Sequence, residues 1–135
     1  MSGYTIGKVA QQVGIGIETI RFYERKGLID EPPRRESGYR QYQEDDISRL
    51  KFIQKAKTLG FSLNEISDLL SLRGEPGTTT REIKQLAETK LNDIESKIKM
   101  LRSMQRSLKT LVDKCPGKGP TNECPILKSL DSGHL

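Results

Sequence analysis

The sequence predicts a mainly helical chain with a helix-turn-helix head, a long helix that needs a partner, and a short cysteine-bearing segment at its end. Three observations predict it. Two short helical patterns flank a Gly-containing link between Gly14 and Ile17. From about Thr79 to Lys114 the chain runs without Gly or Pro and carries apolar residues at heptad spacing. The only two cysteines, Cys115 and Cys124, follow at once in a loop rich in Pro and Gly.

Composition sets the frame. A chain of 135 residues fits one small domain, or a small domain with an appended element. Charged residues make up 30% and hydrophobic residues only 33%, which is thin for a single-core globule and suits helices with wet outer faces. No apolar run reaches the roughly 18 residues of a membrane span. The first residues lack the basic-then-apolar order of a secretory signal, so a cytoplasmic protein is expected. Net charge is +5, which permits a polyanionic partner. The charge is dispersed, with 12 basic and 10 acidic residues up to Arg73 and 11 and 8 after it. A nucleic-acid reading must therefore rest on where residues stand.

The elements follow in order. Thr5 occupies an N-cap position ahead of Ile6, Val9, Ala10 and Val13, and Gly14 ends that helix. A second helix is expected from Glu18 to Lys26, closed by Gly27. Pro32-Pro33 and Ser37-Gly38 break any helix, and Tyr39, Arg40 and Tyr42 suit a short extended ribbon. Helix resumes from about Glu44 to Leu59, burying Ile47, Leu50 and Ile53. Ser62 and Glu65 form a capping-box pattern that opens a helix to Leu72, with Ile66, Leu69 and Leu70 inward. Arg73 to Gly77 is a breaker cluster, so the expected segments are 1–74, 75–114 and 115–135.

In the long helix Ala87, Leu91, Ile94, Ile98, Leu101, Leu108 and Val112 follow 4-3 spacing, with Gln105 filling one step. At about 1.5 Å per residue the helix spans some 50 Å, longer than the rest of the chain can cover. A homodimeric coiled coil is the expected answer. Beyond it Pro125 fits the first position of a closing helix, so Cys124 falls at a helix N-terminus. There the helix dipole favours a thiolate. Ile126, Leu127 and Leu130 are expected to pack that helix down. Two thiolates without a carboxylate cluster select soft ions. A Cys115–Cys124 disulfide and two unrelated cysteines are the competing readings.

The ordered set Thr5-Ile6-Gly7, Glu18-Thr19-Ile20-Arg21-Phe22-Tyr23-Glu24, Ser37-Gly38-Tyr39-Arg40-Gln41-Tyr42, Leu59-Gly60-Phe61 and Glu65-Ile66 resembles the MerR family of bacterial transcription regulators. The resemblance covers essentially the whole chain. It implies a winged helix-turn-helix DNA-binding domain, a long antiparallel coiled-coil dimerisation helix and a C-terminal metal-binding loop. It also implies a homodimer that distorts double-stranded promoter DNA so that RNA polymerase can use the promoter. A second helix of this kind presents its early residues to the major groove. Thr19 and Arg21 stand there, with Thr5 and Arg25 as further DNA contacts, and Arg21 has the planar fork that reads paired acceptors. Tyr23, also placed among the DNA contacts, and Tyr42 are open between packing and phosphate contact. Arg35, Tyr39 and Arg40 would form the wing on the phosphate backbone. Phe22 and Ile20 are expected in the core.

The resemblance also places metal at Cys115 and Cys124. Relatives that sense divalent ions carry a further cysteine at the start of the dimer helix, where Thr80 stands here. A small hydroxyl residue at that position is the pattern of sensors of Cu(I), Ag(I) or Au(I). The eight-residue spacing between the cysteines looks more like the divalent group, and Hg(II) also accepts two thiolates. The two clues conflict, and a Cu(I)-group ion is favoured, with Hg(II) or Zn(II) as the alternative. His134 lies in a tail with little to hold it. A thiol redox sensor on the same scaffold and a cytosolic metal-buffering protein are the rival functions. No paired carboxylates or Gly-rich phosphate loop offer an active site, so no enzyme is expected.

Overall fold

The computed structural model describes residues 3–32 and 41–133. It contains six α-helices among those residues: α1 Ile6–Val13, α2 Ile17–Arg25, α3 Glu44–Thr58, α4 Leu63–Arg73, α5 Thr80–Lys114 and α6 Pro125–Ser132, with a single 3-10 turn at Thr121–Glu123. No described helix is long and apolar enough to cross a membrane. The chain divides into two compact units, Met1–Ile83 and Lys84–Leu135.

Caps account for the boundaries in the first unit. The Thr5 hydroxyl accepts the Lys8 N–H at 3.2 Å, and Gly14 closes α1 at φ 82, a left-handed geometry that only Gly adopts without cost. Helix α2 begins one residue earlier than its sequence pattern predicts, at Ile17, because Gly16 in extended conformation already turns the chain. It closes where Leu28 N–H reaches back to Tyr23 O at 3.0 Å over Gly27 at φ 76. At α3 the Asp46 carboxylate accepts the Gln43 N–H at 2.8 Å. At α4 the reciprocal box is complete, with Glu65 N–H to Ser62 Oγ at 3.2 Å and Ser62 N–H to Glu65 Oε1 at 2.7 Å.

The core of this unit packs α1, α2, α3 and α4 through fully buried Val9, Ile20, Leu50, Ile53 and Ile66. Two tyrosines complete it. Tyr23 is 0% exposed and donates its hydroxyl to Gln54 Oε1 at 2.8 Å, while Tyr42, 1% exposed, donates to Glu24 Oε2 at 2.7 Å. Burial of each ring is tolerable because its polar tip finds an acceptor. Tyr42 also exchanges two backbone hydrogen bonds of 2.8 Å with Tyr4 in an isolated antiparallel bridge, which ties the residues before α3 to those before α1. Arg49 Nε donates to Leu28 O at 2.7 Å and satisfies the carbonyl behind α2. Phe22, expected in the core, is only partly buried at its edge.

In the second unit α5 continues unbroken into the Cys115 loop, and α6 lies back along its end. Leu111 is the single buried apolar residue described here. The heptad seam remains open, with Leu91 54%, Ile98 42%, Leu101 60%, Leu108 57% and Val112 59% exposed. Closing-helix packing differs from expectation. Ile126 is half-buried, but Leu127 and Leu130 are exposed within the single chain.

Candidate metal centre and DNA-reading helix

Position along the chain explains the thiol pair. Helix α5 ends at Lys114, and Cys115 N–H still bonds back to Leu111 O and Val112 O at 3.2 Å each, so Cys115 is held by the last helical turn. Gly117 at φ 73 and Gly119 at φ 94 then reverse the chain. The turn at Thr121–Glu123 delivers Cys124 to the N-cap of α6, with Pro125 at the first helical position. The two Sγ atoms end 4.0 Å apart, as free, half-buried thiols.

Electrostatics at this pair favour a thiolate. Main-chain donation from Leu127, joined by Ile126 and by the Cys115 side chain, holds the Cys124 thiol below its ordinary pKa, against an opposing effect of desolvation. This is the helix N-terminus acting through its free N–H groups.

Geometry and donor chemistry together test the fit to a soft ion. At a thiolate–metal distance of about 2.3 Å, sulfurs this far apart subtend about 120° at a shared ion. A straight S–metal–S line needs about 4.6 Å, an opening of about 0.6 Å. The pair therefore fits a soft ion with small adjustment. Among the described residues no group of three His, Cys, Asp or Glu side chains is arranged for a metal, so the described residues of one chain do not supply the four ligands of a structural zinc site. Thr80 is exposed as the first residue of α5, while the cap is made by its neighbour: Thr79 Oγ1 donates to Glu82 Oε2 at 2.6 Å and accepts from Arg81 N–H at 3.3 Å. His134 lies outside the described residues.

On the head, Arg21 and Arg25 of α2 are exposed and Thr19 is half-buried. Arg21 meets Glu18 at 3.8 Å with both side chains largely in solvent, a contact worth little and easily exchanged for phosphate or a base edge. Thr5 is exposed, with its hydroxyl committed to the α1 cap. Tyr23 is corrected from a DNA contact to a core residue: its ring has no accessible surface and its hydroxyl already has Gln54. Arg35, Tyr39 and Arg40, the expected wing, lie outside the described residues.

Two cations beside α2 were not legible in the sequence. Lys26 Nζ stands 5.6 Å from the Phe22 ring centre and Lys57 Nζ 5.7 Å from that of Tyr23. Lys26 follows the helix end and reads as an ordinary solvated charge. Lys57 comes from α3, distant in sequence, and no spacing rule links it to α2.

Residues 4–73 match the family described as MerR HTH family regulatory protein, and residues 47–111 match the family described as MerR, DNA binding. The mercuric resistance operon regulatory protein of Bacillus cereus is 41% identical over 127 residues, covering 94% of this chain and 96% of that one. The transcription regulator PbrR691 of Ralstonia metallidurans CH34, solved in complex with lead(II), has a TM-score of 0.83 at 35% identity, over 96% of this chain and 99% of that one. The dual function regulator MerR of Bacillus megaterium MB1, in complex with mercury(II), has a TM-score of 0.71 at 36% identity, over 95% of this chain and 99% of that one.

Proposed function

The chain belongs to the MerR family of helix-turn-helix transcription regulators, it is a metal-responsive regulator and not an enzyme, and from that premise we propose that it is a homodimeric activator triggered by a soft ion at Cys115 and Cys124. The observation that carries this reading is the thiol pair 4.0 Å apart at the end of the long helix, with Cys124 on the free N–H groups of α6. Cys115 and Cys124 would hold the ion through their sulfurs, and holding it would tie the end of α5 to the start of α6.

The seam supports the second copy. We take Leu91, Ile98, Gln105 and Val112 as one core position of the heptad, and Ala87, Ile94, Leu101 and Leu108 as the other. Antiparallel pairing then sets Leu91 against the partner's Leu108, Ile98 against the partner's Leu101, Ile94 against the partner's Gln105 and Ala87 against the partner's Val112. The same register sets Glu88 beside the partner's Lys109 and Glu95 beside the partner's Arg102. Opposite charges therefore meet along that edge, and such edges fix orientation in coiled coils. Carried along the helix, the register brings the partner's Thr80 level with position 119, inside the cysteine loop.

Two α2 helices presented by such a dimer would read a pseudo-palindromic promoter site through Arg21, Thr19 and Arg25, with Arg35, Tyr39 and Arg40 on the backbone. Activation would consist of favouring the dimer conformation in which the DNA is bent and untwisted for RNA polymerase. Metal shifts that balance only as far as its affinities for the two conformations differ.

The ion is read as one of the Cu(I) group, since Thr80 supplies no third thiolate and two sulfurs suffice for a linear ion. Hg(II) is the second reading, favoured by the relatives whose names refer to mercury and by the mercury(II) complex of a structural neighbour. Anaerobic titration of the reduced protein with Cu(I), Hg(II) and Zn(II), each against a competing chelator, tests the choice. Tight Cu(I) with easily stripped zinc supports the Cu(I) reading; tight Hg(II) with weak Cu(I) replaces it. Cys115→Ser and Cys124→Ser should each abolish the metal response in transcription while leaving promoter binding within about twofold. Loss of both would refute the division between head and loop.

A further inference from the structure

We infer that Cys115 and Cys124 form a reversible intrachain disulfide under oxidation by a hydroperoxide, and that this bond excludes the metal. The inference rests on the thiol pair being the metal site proposed above, and adds a second input to it.

Three features of this chain carry it. The sulfurs are 4.0 Å apart, so about 2 Å of approach brings them to bonding distance. The segment between them contains Gly117 and Gly119, both at positive φ, and none of its residues from 116 to 123 is buried in the single chain, so no packing of the chain on itself has to be displaced for it to close. No other cysteine exists in the chain to compete within one molecule. The charged residues within four positions of either cysteine are Asp113, Lys114, Lys118, Glu123 and Lys128, all exposed.

The chemistry balances as a two-electron oxidation. One thiol takes an oxygen from the peroxide, giving a sulfenic acid and releasing water. The second thiol attacks that sulfur, the S–S bond forms, the S–O bond breaks, and a second water leaves. Both sulfurs are oxidised and one peroxide is reduced to two waters. A disulfide leaves neither sulfur able to act as a thiolate ligand, because thiolate is the form that binds metal. Conversely, an ion bonded to both sulfurs removes the second thiol that resolves the sulfenic acid.

The test uses the full-length reduced protein under anaerobic conditions with one equivalent of hydrogen peroxide. Intact mass should fall by about 2 Da per chain, free thiols should fall to zero, and a tryptic peptide should join Cys115 to Cys124 within one chain. Hg(II) and Cu(I) uptake should fall at least tenfold and return with a thiol reductant, and metal added first should suppress the mass change. Cys115→Ser should give an increase of about 16 Da at Cys124 in place of the loss. Persistent thiols, sulfinic acid at either position, interchain cross-links as the main product, or a disulfide form that still binds metal would each overturn the inference. If the reduced protein takes up no metal, the metal reading fails by itself. The peptide map then decides the disulfide alone.

Discussion

Replacing Ile98 by Asp should separate the proposed dimer. Ile98 keeps 42% of its surface exposed in the single chain, at the middle of the seam. Burying a whole Ile side chain stabilises by about 1.5–3 kcal/mol, so covering the exposed remainder contributes about 0.6–1.3 kcal/mol per chain and about 1.3–2.5 per dimer. Asp forfeits that term and strands a carboxylate opposite the partner's Leu101, twice by symmetry, at several kcal/mol for the unpaired charges. A total near 5 kcal/mol raises the dissociation constant by about a thousandfold or more. Sedimentation velocity over a concentration series reads this directly. An unaltered profile for Ile98→Asp would refute the claim that the seam faces a second copy. The charged edge gives a second reading that leaves the apolar seam intact. Glu95→Arg alone should weaken the dimer by about 1–3 kcal/mol, since two favourable pairs become repulsive. Adding Arg102→Glu should recover most of the loss. No recovery would refute the antiparallel register.

Three further outcomes follow from the head and the loop. Arg21→Ala should cost about 1–3 kcal/mol in promoter affinity if the guanidinium reads a base edge, measured at fixed salt by fluorescence anisotropy. An unchanged affinity would return Arg21 to solvent. Tyr23→Phe removes the donor to Gln54 and should lower unfolding free energy by about 0.5–1.5 kcal/mol in urea with promoter affinity unchanged. Loss of affinity at full stability would restore Tyr23 as a phosphate contact. Cys124 titrates below an ordinary thiol, so its thiolate persists as pH falls past the range where a free cysteine is protonated. Its alkylation rate, followed by peptide mass, should have a midpoint below that of an unstructured peptide, and an equal or higher midpoint would remove the argument from the α6 N–H groups.

Local rules were readable wherever both partners lie within about one helical turn. Thr5 caps α1, Gly14 closes it in the left-handed region, Ser62 and Glu65 cap α4 reciprocally, and Pro125 sets Cys124 at the start of α6. Each of these depends on a short stretch of backbone and on side chains that reach only their near neighbours. The heptad seam was equally legible, because its period belongs to the helix itself. The site was partly legible. The thiols and their separation along the chain stand in the sequence, but their 4.0 Å separation depends on how α6 folds back along α5.

What the sequence determines about this protein is thus the order of its helices and their bounds to within a residue or two, the open apolar stripe of α5 and the placing of two cysteines around a turn. Only the tertiary structure decided which amphipathic side chains went inside. Tyr23 and Arg25 sit on the same short helix, yet Tyr23 is buried because α3 brings Gln54 to its hydroxyl from 31 residues away. Tyr42 is buried by the bridge to Tyr4 and by Glu24. Leu127 and Leu130 stay exposed within the single chain, although their spacing reads as an inward face. A tyrosine or a leucine on a helix has a fixed direction but no fixed neighbour. The neighbour comes from another element, and its burial free energy of about 1.5–3 kcal/mol is realised only when that element arrives.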